Sequence, residues 1–253
     1  MWRWVIGGTV GVLLLGCWMY ERVAVLPSPA LSIQSLQRKG NIPFSNEHTL
    51  SGKQSAEMHA AFYLALPDDN VEKYVGKGVP LSDMQYVPVN LVELERSQTL
   101  HIQGERLLRK EAYEQLVQLS LAFYEQFQQP LMVISAYRSY QYQKQQIAES
   151  CKVSGYCARE GESEHQLGLA VDLREATNEA TFLAQYQQYY DWLMANAHLY
   201  GFHQSYQKGK ATDGYAIEPW HWRYLGKELA KQLWEQQMTF SEWVFGTGSK
   251  QWE

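Results

Sequence analysis

The sequence predicts an α+β fold, on three observations: a long stretch of helical periodicity, several short apolar runs of strand length, and no strict alternation between the two. The helical stretch is 109–127, where Leu116, Leu119, Ala122, Phe123 and Phe127 recur at helical spacing. Pro130 ends it, because the residue before a proline is driven towards extended backbone. Residues 131–136 (LMVISA) read as a buried strand rich in β-branched side chains, and the polar, Gln-rich stretch 139–149 as a helix. A strand near 167–173 follows, then a helix over 182–199 stopped by Gly201, a strand near 217–224 and a closing helix over 227–236. Upstream, Pro27, Pro29, Gly40 and Pro43 break any pattern, so 23–80 is expected to be a stalk or linker, with a short helix at 55–66 capped by Ser55. The main domain is then 81–253.

The chain has 253 residues, 45% hydrophobic and 13% aromatic, which fits one compact domain plus an N-terminal extension and excludes a disordered chain. A formal net charge of -5 supplies no basic field for phosphates, so nucleic acid is excluded as a partner. Residues 4–20 carry no charge and sit between Arg3 and Glu21-Arg22, so 1–22 is expected to be a membrane anchor or signal segment. Bulky Trp18, Met19 and Tyr20 stand where a cleavage site needs small residues, which favours a retained anchor. Leu14-Leu15-Gly16-Cys17 resembles a lipobox, so lipidation is the second reading. Either version places the rest of the chain outside the cytoplasm. There Cys151 and Cys157 are expected to close a small disulfide loop rather than bind metal, since their spacing is not C-x-x-C.

Two clusters carry chemistry: 163–172 (SEHQLGLAVD) and 218–222 (EPWHW). A catalytic zinc site takes three protein ligands and keeps one position open, and His165, Asp172 and His221 supply three. Glu218 precedes Pro219 and is therefore extended, so this is no helical H-E-x-x-H site. Its carboxylate suits the general acid/base role of amide hydrolysis, with zinc lowering the pKa of water to about 7 and polarising the scissile carbonyl. Asp172 lies in an otherwise apolar run, where an unpaired charge is costly and a metal would offset the cost. His48, His59, His101, His198 and His203 are read as structural.

The pattern S-x-H-x-x-G-x-A-x-D followed by E-x-W-H, with 135–143 (SAYRSYQYQ) upstream, resembles the VanY-type D-alanyl-D-alanine carboxypeptidases over about 86–243. The resemblance implies a small mixed domain with a central antiparallel sheet flanked by helices, a zinc fold shared with other D,D- and L,D-peptidases and the hedgehog signalling domain. It implies His165, Asp172 and His221 as zinc ligands and Glu218 as the base. Arg138 would face the substrate, stabilising the carbonyl oxygen or holding the terminal carboxylate, with Ser139, Gln143 and Ser163 as further substrate contacts. The implied partners are peptidoglycan stem peptides and the implied reaction is removal of their C-terminal D-alanine. Ala136, Leu167 and Ser205-Tyr206 replace residues common in the family (Gly, Thr and Arg-Tyr) near the expected groove. They leave L,D-carboxypeptidase, endopeptidase and non-catalytic wall-peptide binding as alternatives. Oligomeric state has no signature here.

Overall fold

The computed structural model describes residues 52–150, 157–175 and 182–246. In chain order the elements are α1 (Gly52–Ala65), β1 (Leu91–Glu93), β2 (Leu100–Ile102), β3 (Leu107–Arg109), α2 (Lys110–Phe127), β4 (Leu131–Ser135) and α3 (Tyr140–Ser150). There follow β5 (Ala170–Glu175), α4 (Phe182–Asn196), β6 (Phe202–Gln204), α5 (Lys210–Asp213), β7 (His221–Tyr224), α6 (Lys227–Gln236) and α7 (Phe240–Phe245), with 3-10 turns at Glu164–Leu167 and Ala197–Tyr200. The α+β class holds.

A five-stranded sheet has the order β2-β4-β5-β7-β6, and β1 pairs with β3 in a separate antiparallel ladder. The expected antiparallel sheet needs one correction. β2 runs parallel to β4, because the chain between them crosses over through α2, as parallel neighbours require. The other pairs are antiparallel. Helix α2 buries Ala112, Leu116, Leu119, Ser120 and Phe123, one stripe at helical spacing, in a core shared with Leu131, Val133, Val171, Leu173 and Trp222. Alternation along β5 and β7 therefore turns Val171, Leu173 and Trp222 inwards and leaves Asp172, His221 and Arg223 for the opposite face.

Several boundaries differ from the sequence reading. The strand expected near 167–173 begins at Ala170, because Glu164–Leu167 winds into a 3-10 turn closed by Gly168 at φ 66. A Cβ there would sit 2.9 Å from Leu91 Cδ2, so both backbone and space call for glycine. The strand expected near 217–224 begins at His221, after a turn in which the His221 amide donates to Glu218 O at 3.1 Å.

The largest correction concerns residues 52–80, expected as part of a linker. They pack into the folded unit, with Tyr63, Tyr74 and Val75 buried. Tyr63 and Tyr74 join Leu225, Leu229, Leu233, Phe240 and Val244 in a second apolar cluster, and Trp243 Nε1 donates to Tyr63 Oη at 2.8 Å. The breakers Pro27, Pro29, Gly40 and Pro43 all precede this stretch. Lys73 is buried too, its ammonium donating to Leu64 O at 2.7 Å and lying 3.7 Å from Asp68. The expected anchor over 1–22 lies outside the described residues, among which no helix is long and apolar enough to cross a membrane. Cys157 is disulfide-bonded, and Cys151 lies outside the described residues.

Candidate active site

Neighbouring strands bring the two sequence clusters together. Asp172 on β5 is the register partner of His221 on β7, so their side chains share a face. His165 comes from the 3-10 turn just before β5. That turn is held by Gln166, fully buried, whose Nε2 donates to Met84 O at 2.8 Å while its Oε1 accepts from the Gly161 amide at 3.0 Å. On β4, simple alternation would put Ser135 on the core face beside Val133. A register shift between them, of the kind β-bulges make beside active sites, brings Ser135 opposite Asp172 instead. Its hydroxyl accepts from Arg138 Nε at 2.8 Å, and Arg138 Nη2 donates to Asp172 Oδ2 at 2.9 Å.

The two imidazoles present different nitrogens. His165 Nδ1 lies 2.7 Å from Ala136 O, an acceptor only, so it carries the proton and leaves the Nε2 lone pair facing Asp172 Oδ1 at 3.3 Å. His221 does the reverse: Nε2 lies 2.7 Å from Glu164 Oε2, and Nδ1 faces Asp172 Oδ1 at 3.3 Å. All three side chains are buried, and their ligand atoms lie within 4.8 Å of one another. Among the described residues this is the one His/Cys/Asp/Glu group with such spacing.

The electrostatics call for a cation at this point. Asp172 Oδ1 is buried with no hydrogen-bond partner. Burial opposes ionisation of Asp172, yet the two histidines hold its carboxyl far below the usual carboxylate range. Burial and the nearby Arg138 guanidinium lower His165, favouring the neutral imidazole that a metal needs. Burial also opposes a charge on His221, but hydrogen bonds to Asp172 and Glu164 overcome it and raise its pKa to about 10. A carboxylate oxygen and an imidazole lone pair meet where two acids hold a proton on a second imidazole. Zinc fits that donor set and that charge.

Glu218 lies beside the cluster, its Oε2 3.9 Å from His221 Nδ1 and its Oε1 buried without a partner. Burial lifts its pKa to about 7, with His221 and Arg138 opposing and Asp172 and Glu164 adding to the rise. A carboxyl poised there can accept and return a proton near neutral pH.

The structure thus gathers His165, Asp172, His221, Glu218 and Arg138 at one point. The other three expected contacts do structural work nearby. Ser139 Oγ accepts from the Tyr142 amide at 3.1 Å at the start of α3. Gln143, buried, donates through Nε2 to Ala158 O at 2.8 Å and fixes the loop that leads to the turn carrying His165. Ser163 is buried directly before that turn, its carbonyl accepting from the Gln166 amide at 3.0 Å. Sequence reasoning missed Glu164, Ser205 and Arg223. Ser205 Oγ donates to Glu164 Oε2 at 2.6 Å, and Arg223 Nη1 lies 3.7 Å from Glu164 Oε1. Arg223 had a signal: like Asp172, it is a charge in an otherwise apolar and aromatic strand.

Residues 105–227 match the family described as VanY, D-alanyl-D-alanine carboxypeptidase. A Bacillus subtilis (strain 168) protein named as a carboxypeptidase, YodJ, is 34% identical over 186 residues, 69% of this chain and 67% of that one. The chain belongs to the VanY family. It is a carboxypeptidase. Among solved structures, the LdcB LD-carboxypeptidase is 31% identical with a TM-score of 0.57, covering 70% of this chain and 86% of that one. The vancomycin-resistance D,D-pentapeptidase VanY in complex with Zn(II) is 25% identical with a TM-score of 0.55, covering 67% and 96%.

Proposed function

We propose that this VanY-family carboxypeptidase uses zinc, held by His165, Asp172 and His221, to remove the C-terminal D-alanine from peptidoglycan stem peptides outside the cytoplasm. The observation that carries the reading is the convergence of His165 Nε2 and His221 Nδ1 on the unpartnered Asp172 Oδ1, each at 3.3 Å, beside a carboxyl poised near pH 7. The Zn(II) complex of the related VanY supports the choice of metal. Zinc, when bound, polarises the scissile carbonyl and acidifies water.

The chain's own residues do the rest. Glu218 takes a proton from the attacking water as its oxygen bonds to the carbonyl carbon, and returns it to the nitrogen of the departing D-alanine as the carbon-nitrogen bond breaks. Arg138 has committed Nε to Ser135 and one Nη2 hydrogen to Asp172, which leaves Nη1 and the second Nη2 hydrogen as donors for substrate oxygen. Those two anchors hold the guanidinium plane before substrate arrives. The extracytoplasmic setting draws support from the uncharged stretch 4–20 and from the disulfide at Cys157.

The similarity to LdcB, at 31% identity against 25% for VanY, favours one second reading: release of D-alanine from tetrapeptide rather than pentapeptide ends. Both are tested together. The full chain with zinc is incubated with a stem pentapeptide ending in D-Ala-D-Ala and, separately, with the tetrapeptide, for wild type and Glu218→Gln. Release from the pentapeptide, reduced roughly 10²- to 10⁴-fold in the variant while zinc stays bound, supports the D,D reading. Release from the tetrapeptide alone moves the assignment to L,D. Release from neither, with zinc bound, rejects both.

A further inference from the structure

Residues 71–73 lie well ahead of the 105–227 stretch that matches the family, yet hydrogen bonds and an ion pair connect them to the metal-ligand set. Arg223, fully buried, donates through Nη2 to the carbonyls of Val71 at 2.8 Å and Lys73 at 3.2 Å, and through Nε to Tyr224 O at 3.0 Å. Its Nη1 lies 3.7 Å from Glu164 Oε1 and has no hydrogen-bond partner, so the guanidinium's free side is turned towards that carboxylate. Glu164, also buried, gathers two donors on Oε2: Ser205 Oγ at 2.6 Å and His221 Nε2 at 2.7 Å. Backbone 71–73 thus holds Arg223, Arg223 faces Glu164, and Glu164 holds His221.

The consequence lies in the tautomer of His221. A neutral imidazole has one proton, and the acceptor it meets decides which nitrogen carries it. On the Nδ1 side stand Asp172 Oδ1 at 3.3 Å and Glu218 Oε2 at 3.9 Å, both able to draw the proton there and block the ligand atom. Glu164 competes from the other side with a shorter contact, itself backed by a serine and an arginine. A buried carboxylate with so much support is costly to desolvate, and its partners are what make the position tenable.

We infer that Glu164 is a positioning residue that keeps the proton on Nε2 and presents Nδ1 of His221 to the metal, and that Arg223 with the 71–73 backbone is the strut that sets Glu164. The inference rests on the zinc reading of the site. The zinc site then extends into the segment that the sequence assigned to a linker.

The test measures zinc affinity by chelator competition and, on the zinc-free protein above pH 10, where the His221 ring is neutral, the His221 tautomer by ¹⁵N chemical shifts. It compares the full chain as wild type, Glu164→Ala, Glu164→Gln and Arg223→Lys, with thermal melts as a folding control. Wild type should bind zinc with the His221 proton on Nε2. Glu164→Ala should lose roughly 10- to 100-fold in affinity, with the proton moved to Nδ1. Glu164→Gln keeps an acceptor oxygen and should restore the tautomer with a smaller loss, which also covers the case in which the alanine variant fails to fold. Arg223→Lys should weaken zinc binding several-fold. Unchanged affinity and tautomer in either folded Glu164 variant overturns the positioning role, and unchanged affinity in Arg223→Lys overturns the strut. Wild type that binds no zinc refutes the metal reading itself, and this inference with it.

Discussion

Arg138 shows how far a single residue's role was legible. The Y-R-S resemblance implies a place at the substrate; what the structure shows is that it braces Asp172 at 2.9 Å while Ser135 holds its Nε. A lysine keeps the charge but cannot serve both anchors and the substrate from one point. Arg138→Lys is therefore expected to lower kcat/KM by roughly 10²-fold, read in the D-alanine release assay. His165, Asp172, His221 and Glu218 were all readable, because each is a titratable group in an apolar or proline-bounded setting that makes little sense unpaired. Glu164 was not, since an acid next to His165 looks like any surface acid until the fold buries it. His203, expected to be structural, is buried on β6, and burial pushes its pKa down to about 4, with Glu164 opposing. The sign follows from linkage: the unfolded chain takes up a proton near pH 6.5 that the folded chain refuses until about pH 4. Its contribution is therefore complete above pH 6.5 and shrinks as pH falls towards 4, by up to roughly 3 kcal/mol. Denaturant melts of wild type across that window should lose stability more steeply than those of His203→Gln, and equal slopes would remove His203 from the pH response.

At the scale of elements, the long periodic segments were readable and the three-residue ones were not. Helices α2 and α6 stand within a residue of the expected ranges, 109–127 and 227–236. β1, β2, β3 and β6 each have three residues, too few for alternation to show, and the pairing that defines them is non-local. The same limit hid the register shift on β4, which depends on what lies across from Ser135. Just past β2 the chain passes very close to β4. A Cβ on Gly104 would come within 1.9 Å of Ile134 O, a backbone atom with no rotamer to retreat into. Gly104→Ala should cost about 1–3 kcal/mol or more in chemical denaturation, since the parallel β2–β4 pair must part to admit the methyl group. A melt within error of wild type would show that the contact relaxes freely.

For the whole molecule, the apolar clusters explain why the domain boundary was misplaced. Local sequence marks where breakers stop, but whether the chain beyond them is linker or core depends on partners far along it. Tyr63 finds Phe240, their rings 5.9 Å apart, and Tyr74 Oη bonds Ser241 Oγ at 3.0 Å. Those contacts tie Tyr63 and Tyr74 to the last described helix, and Arg223 ties the same N-terminal segment to the sheet carrying Asp172 and His221. The zinc-carboxypeptidase assignment is tested most directly by stripping the full chain with a chelator and adding zinc back while D-alanine release from stem peptide is followed. Activity should vanish on stripping and return in proportion to zinc, up to one equivalent per chain, with no recovery in His221→Ala. Full activity in the metal-free protein, or recovery in His221→Ala matching wild type, would contradict it.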